Sequence, residues 1–239
     1  MSILSLFGCG RKSVEYPQDK ITTASGEVAT LTFFKHASFS IEFGGYYIYV
    51  DPVDEYADYD RLPKADLLLV THSHYDHLDM AAVDKLCKPT TTIICDKTSA
   101  EAFESDCVTM TPGMTAQPKA DVLVDAVPAY NISEGHLQFH PREREDCGYV
   151  LTLGGTRIYI AGDTENNEDV KALENIDIAF LPVNQPYTMT IEQAVDVIKA
   201  IRPKIFYPYH YGGTDQTTDI ARLVREVDGL TSIRVRPME

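Results

Sequence analysis

Two stretches near the start of the chain alternate apolar and polar residues, the mark of half-buried strands. Ala29-Thr30-Leu31-Thr32-Phe33-Phe34 is one, and Ser38-Phe39-Ser40-Ile41-Glu42-Phe43 is the other. Gly44-Gly45 then turns the chain, and Tyr46-Tyr47-Ile48-Tyr49-Val50 returns it as a hairpin partner. Leu67-Leu68-Leu69-Val70 is an unbroken apolar run, which fits a strand buried on both faces. A helix is predicted over 80–86, a buried strand at Thr92-Ile93-Ile94-Cys95 and a short helix over 99–105.

The second half repeats the plan. A strand is predicted at 122–127, then a hairpin of 149–153 and 156–160 around Gly154-Gly155. Asp177-Ile178-Ala179-Phe180-Leu181 reads as a strand ending at Pro182. Ile191, Ala194, Val195 and Ile198 share one face of a helix over 190–200. A strand at 204–207, a helix over 218–227 and a strand at 232–236 complete the chain. Residues 11–28 are polar and aperiodic, so 1–28 reads as an N-terminal tail. No linker rich in Pro, Gly or Ser divides the rest. The expected architecture is α/β: one domain over 29–239 with two similar halves, two packed sheets and helices outside.

Composition narrows the function classes. The net charge is −15 over 239 residues, a balance that nucleic acid and anionic membranes would repel. It leaves a small-molecule substrate as the expected partner, because a metal ion can invert the field inside a pocket. No apolar run is long enough to span a bilayer. The five cysteines (Cys9, Cys87, Cys95, Cys107, Cys147) are odd in number and show no Cys-x-x-Cys spacing. That argues against a disulfide framework or zinc finger and for a reducing, cytoplasmic compartment. The alternative is a lipid anchor at Cys9, preceded by Leu6-Phe7-Gly8 as in the end of a lipoprotein signal.

The chemistry concentrates at Thr71-His72-Ser73-His74-Tyr75-Asp76-His77-Leu78-Asp79. Three histidines and two aspartates follow a buried strand directly, where a loop can converge polar side chains without breaking sheet hydrogen bonds. Imidazole with carboxylate suits zinc, iron or manganese. Asp163 follows a strand and a turn glycine, Gly162, and His210 follows another strand. Each alone reads as a turn residue. With the first cluster, they become the distant ligands that a metal site needs.

His-x-His-x-Asp-His, then Gly-Asp, then a strand-terminal His resembles the metallo-β-lactamase fold superfamily. Lys35-His36-Ala37-Ser38-Phe39, Val50-Asp51-Pro52, Tyr187-Thr188-Met189-Thr190 and Pro208-Tyr209-His210-Tyr211-Gly212 resemble its metal-dependent hydrolase branch. That branch includes ascorbate-phosphate lactonase-like proteins and relatives of N-acyl phosphatidylethanolamine phospholipase D. The resemblance spans nearly all of 29–236 and implies a four-layer αββα sandwich with two adjacent divalent ions, zinc before manganese or iron. It implies that His72 and His74 bind the first ion, that Asp76, His77 and His210 bind the second, and that Asp163 bridges them. Asp51 then either holds a ligand's remaining N–H or caps its strand before Pro52.

One ligand departs from the family pattern. The first ion's third histidine usually ends the strand that here reads Val127-Pro128-Ala129-Tyr130-Asn131. His140 is favoured as the replacement, on a loop that folds back; Asn131 is the alternative. His136 is expected at an exposed tip. His36, Tyr187 and Tyr211 could line the pocket or simply pack, and the cysteines are assigned to the core.

The implied reaction is hydrolysis. A bound ion lowers the pKa of its water to about 7, and the hydroxide attacks while a second ion holds the substrate oxygen. Asp76 or Asp163 would carry the proton to the leaving group. No Gly-x-Ser-x-Gly elbow is present. The expected enzyme is a dinuclear zinc hydrolase of a small ester, lactone or phosphodiester, and the branch argues against a β-lactam. The rival expectations are iron-dependent redox chemistry in the same cage and a non-catalytic metal-binding protein.

Overall fold

The computed structural model describes residues 15–103, 107–212 and 217–239. Fourteen strands among them form two seven-stranded sheets, each ordered as the chain runs. The first holds β1 (Gln18–Thr22), β2 (Val28–Lys35), β3 (Ser38–Phe43), β4 (Tyr46–Val50), β5 (Leu67–Val70), β6 (Thr92–Asp96) and β7 (Val108–Met110). The second holds β8 (Thr115–Lys119), β9 (Val122–Pro128), β10 (Cys147–Leu153), β11 (Thr156–Ile160), β12 (Ile178–Pro182), β13 (Ile205–Tyr209) and β14 (Ser232–Ile233). In both sheets the first four strands pair antiparallel and the remaining pairings are parallel. The repeated plan read from the sequence is thus repeated pairing as well.

The sheets pack face to face through apolar side chains. Leu31, Phe33, Phe39, Ile41, Leu67 and Leu69 of the first sheet share a buried cluster with Tyr149, Leu151, Phe180 and Tyr207 of the second. Phe39 stacks on Phe180 with ring centres 4.3 Å apart, and Phe33 meets Tyr207 at 5.1 Å. Leu68 and Val70 point the other way, into a second cluster with Ala82, Val83 and Leu86 of α1 (Met80–Leu86). This is why β5 reads as an unbroken apolar run. α3 (Ile191–Ile201) turns Ile191, Ala194, Val195 and Ile198 inward on the second sheet's side. Two central sheets with flanking helices form an αββα sandwich, as the resemblance implied.

Helix starts follow local chemistry. The Asp79 carboxylate accepts from Ala81 N–H to cap α1. Thr190 and Gln193 exchange hydrogen bonds at the start of α3, a full capping box, so Thr190 is the cap and not the first helical residue. The shorter helices are α2 (Glu168–Lys171) and α4 (Ile220–Glu226).

Several elements differ from the sequence expectation. The tail over 1–28 is cut short, because Gln18–Thr22 pairs antiparallel with β2. Its residues alternate only between exposed and half-buried, so an edge strand with little apolar content left no hydrophobic signal. The short β7 and β8 carry mostly exposed or half-buried residues and were missed for the same reason. The helix expected over 99–105 is a 3₁₀ turn at Ser99–Phe103 within the described residues. α2 was not anticipated, and the last strand stops at Ile233. Cys9 lies outside the described residues. Among those described, no helix is long and apolar enough to cross a membrane.

Candidate metal centre

One end of both sheets collects the polar residues. His36 sits in the turn between β2 and β3, Asp51 follows β4, and His72 to His77 follow β5. Asp163 follows β11, His210 follows β13, and His140 lies on the loop joining β9 to β10. After β5 the chain turns tightly: the N–H groups of His77 and Leu78 both donate to the carbonyl of His74 at 2.9 Å. That turn sends Tyr75 into solvent and buries His72 and His77. Gly162, at φ 64°, makes the bend that delivers Asp163, and a Cβ there would come within 3.1 Å of the Thr71 side chain.

His72 Nε2 lies 3.1 Å from His74 Nδ1. Ligand atoms around a tetrahedral zinc, at bonds of about 2.0–2.1 Å, sit about 3.3 Å apart. Arg144 Nη1 donates to the other nitrogen of His74 at 2.8 Å. His140 Nε2 comes within 3.3 Å of Asp163 Oδ2, and its Nδ1 faces Asp146 Oδ2 at 3.7 Å. His77 donates from Nδ1 to Asp51 at 2.9 Å and turns Nε2 toward Asp163 Oδ1 at 3.3 Å. His210 Nε2 stands 3.2 Å from Asp163 Oδ2 and 3.5 Å from Asp76 Oδ2. Three sets of donor atoms, each within 4.8 Å of one another, could therefore hold an ion: His72, His74, His140; His72, His77, Asp163; and His36, Asp76, His77, His210.

The electrostatics of these groups are mutually constrained. Burial pushes His72 well down, and the neighbouring His77 adds to it. Burial also lowers His74, with His140 and Arg144. For His77, burial is outweighed by Asp163 and Asp51, which push it well up. His210 is raised to about 9, the pull of Asp163 exceeding the cost of burial. His140 is also raised: burial opposes, and Asp146 and Asp163 prevail. Asp163 is held well below the carboxylate range, where burial loses to His210 and His77. Asp76 is held down against its burial by His210 and His36.

A divalent cation fits this arrangement. His77 Nε2, His210 Nε2 and Asp163 Oδ1 are buried and make no hydrogen bond among the described residues. His77 Nε2 faces Asp163 Oδ1 at 3.3 Å, and His210 Nε2 faces Oδ2 of Asp163 at 3.2 Å and Oδ2 of Asp76 at 3.5 Å, yet neither imidazole makes a hydrogen bond to these carboxylates. Unsatisfied buried polar atoms cost about 1–3 kcal/mol each. Imidazole nitrogens and carboxylate oxygens in that posture are ligand atoms for zinc-like ions.

All seven residues expected around the metals come together: His72, His74, Asp76, His77, His140, Asp163 and His210. Asn131 Nδ2 donates to the carbonyls of Tyr187 at 2.7 Å and His136 at 3.2 Å, and its Oδ1 is buried without a hydrogen-bond partner among the described residues. His136 is directed to Glu165 at 3.4 Å instead. Asp51 holds His77 and also accepts from Thr71 N–H at 2.8 Å, beyond any role as a strand cap. Tyr187 lines the cavity, whereas Tyr211 packs and donates to the carbonyl of Arg236. Cys95 and Cys147 are buried, and Cys87 and Cys107 are half-buried free thiols.

Three residues behind the site gave no sequence signal. Asp146 sits in Arg142-Glu143-Arg144-Glu145-Asp146, which reads as a solvated charge run, yet it is 1% exposed and backs His140. Arg144 joins it by donating to Asp146 at 3.1 Å. Glu165 is buried and accepts from the N–H groups of Ile132 and Ser133 at 2.7 Å, tying down the start of the loop that carries His140.

The site opens into a cavity of about 430 Å³ walled by Phe139, Tyr187, Asn184 and the histidine cluster. A larger groove, about 610 Å³, crosses the outer face of the first sheet between Tyr16, Tyr47 and Tyr49, away from every ligand set.

Comparison with known proteins agrees with this geometry. The profile of the "Beta-lactamase superfamily domain" family matches residues 30–210. A UPF0173 metal-dependent hydrolase of Pyrococcus furiosus is 31% identical over 195 residues, covering 76% of this chain and 84% of that protein. A crystal structure from Parabacteroides distasonis, described as a metal-dependent hydrolase, shares 44% identity at a TM-score of 0.88, over 94% of this chain and 100% of that one. Igni18, a metallo hydrolase of the archaeon Ignicoccus hospitalis, superposes at a TM-score of 0.74 with 25% identity, over 88% of this chain and 96% of its own. With the profile, the sandwich and the histidine–aspartate cluster in accord, the chain belongs to the β-lactamase superfamily domain family and, within it, to the UPF0173 metal-dependent hydrolases.

Proposed function

We propose that the chain is a dinuclear zinc hydrolase of small uncharged esters or lactones. The observation that carries this reading is the sharing of Asp163 between two nests of donor atoms. Its Oδ2 faces His140 at 3.3 Å and His210 at 3.2 Å, and its Oδ1 faces His77 at 3.3 Å. One ion would be held by His72, His74, His140 and Asp163, the other by Asp76, His77, His210 and Asp163. The ions would supply an activated water and a positive charge for the substrate's carbonyl oxygen.

The protein's own residues set the rest. Asp51 keeps His77 turned into the site through a hydrogen bond, and Asp146 lies 3.7 Å from the far nitrogen of His140. Asp76 is better placed than Asp163 to move a proton: its side chain is 21% exposed on the cavity wall, against 3% for Asp163. Phe139 and Tyr187 pack edge to face at 4.9 Å and give that wall an apolar patch for the substrate's organic part. Among the described residues lining the cavity there is no lysine or arginine. An anionic phosphodiester would find no cationic clamp from the protein there, and the chain's charge of −15 opposes its approach.

The test loads purified protein with zinc, measures metal per chain, and assays 4-nitrophenyl acetate, γ-butyrolactone and bis(4-nitrophenyl) phosphate. Two ions per chain and chelator-sensitive turnover of the neutral substrates are expected, with the phosphodiester slower by at least tenfold in kcat/KM. Metal-loaded protein that hydrolyses none of them, or that prefers the phosphodiester, overturns the reading.

A further inference from the structure

We infer that His36 is a positioning residue of this centre, which fixes the Asp76 carboxylate by donating to it from Nε2. The inference rests on the two-ion reading above and adds a residue that the His-x-His-x-Asp-His pattern does not contain. Three observations lead to it.

The first is backbone cost. Lys35 pairs with Ser38, so β2 and β3 are joined by a two-residue turn, His36-Ala37. His36 is held at φ 58°. Glycine is the usual occupant of a positive-φ position in such a turn, and a residue with a Cβ is strained there by about 1–3 kcal/mol. Asp51 and His210, at φ 43° and 48°, share the conformation and the site. The chain tolerates strain at three points that touch one centre.

The second is direction. His36 Nε2 makes a hydrogen bond of 3.1 Å to Asp76 Oδ2. His77 and His210 lie as near to carboxylate oxygens, but their Nε2 atoms make no hydrogen bond. The distances are alike and the directions differ. His77 and His210 are posed as ligands, and His36 is posed as a donor. Its bond occupies Asp76 Oδ2 and fixes the rotation of the carboxylate.

The third is coupling to a second member of the centre. The His36 carbonyl accepts from the backbone N–H of His210 at 3.0 Å. The two rings lie 3.7 Å apart, centre to centre. One residue on the hairpin turn therefore braces both Asp76 and His210, each from a different strand end.

His36→Gly is the informative variant, because glycine accepts the turn's φ without strain. Zinc affinity is measured by competition with a chelating dye, and the metal-free thermal midpoint beside it. The variant is expected to bind the second ion 10–100-fold more weakly, the size typical of losing such a support, with the first ion and the metal-free midpoint retained. His36→Gln, which keeps an N–H donor of similar reach, is expected to restore part of the loss. Wild-type affinity for both ions in His36→Gly overturns the inference, as does equal weakening in the glycine and glutamine variants. A metal-free readout separates this from the function itself: the His36 Nε2–H proton should be visible by NMR and vanish in Asp76→Ala. A protein that shows that proton but hydrolyses nothing would sink the proposed activity and leave the brace standing. A missing proton in the wild type would sink the brace, whatever the activity.

Discussion

Asp163 has four imidazoles within 3.9 Å, and that makes it the most consequential single residue of the centre. Asp163→Ala is expected to lose both ions, because both nests of donors include its carboxylate. Elemental analysis checks this, and a mutant that retains two tightly bound ions refutes the bridge. The loop histidine gives a finer contrast. His140→Ala is expected to lower zinc toward one ion per chain with secondary structure unchanged by circular dichroism. Asn131→Ala should keep both ions but lose about 1–3 kcal/mol of stability, because it removes the two hydrogen bonds that the amide donates to the carbonyls of Tyr187 and His136. The reverse pattern would make the amide the ligand. At this scale the sequence was legible wherever ligands were close neighbours or followed an apolar strand. His72, His74, Asp76 and His77 were visible as a cluster, and Asp163 through the glycine before it. Asp146 was not, and His36 was legible only as a residue that could line the pocket or simply pack. One sits in a charge run and the other on a turn, and only folding reveals that Asp146 is buried behind His140 and that His36 lies against Asp76.

At the scale of elements, β1 shows what hydrophobic patterning cannot see. Its strand is held by charge. Asp19 accepts from Tyr207 at 2.6 Å and from Arg236 at 2.7 Å, which ties the edge strand of the first sheet to β13 and to the end of the chain. Burial opposes ionisation, but Arg236 and Tyr207 win, and the carboxyl is held below its usual 3.8. A depressed folded value means the contribution is whole above that usual value and fades as pH falls through the lower one. Asp19→Asn should therefore cost about 1–3 kcal/mol near neutrality, and less with each step below pH ~4. Urea midpoints of both proteins across pH check this, and a gap that does not narrow in acid refutes it. The central strands were readable because their side chains are buried on one face or both. The ends of α3 were readable to within one residue because Ile191, Ala194, Val195 and Ile198 share one buried face. The edges were unreadable because their partners are 14 to 217 residues away in sequence.

Across the whole molecule, each proposed ion draws on both sheets. His72 and His74 follow the first sheet, whereas His140 and Asp163 follow strands of the second; Asp76 and His77 are likewise matched by Asp163 and His210. A chelator should thus lower the thermal midpoint by about 10 °C, the order expected when tightly bound ions leave a chain of this length. An unchanged midpoint on chelation would show that the ions do not stabilise the fold. The same division has a mechanical side. The interface between the sheets is a joint, and the two ions would be its rivets. Sliding one sheet past the other by an ångström would stretch both coordination shells together, because neither half carries a complete set. The Phe39–Phe180 stack in the interior then governs the alignment of a centre to which neither ring contributes an atom, and slack introduced at that stack would be felt as slack in the grip on both ions.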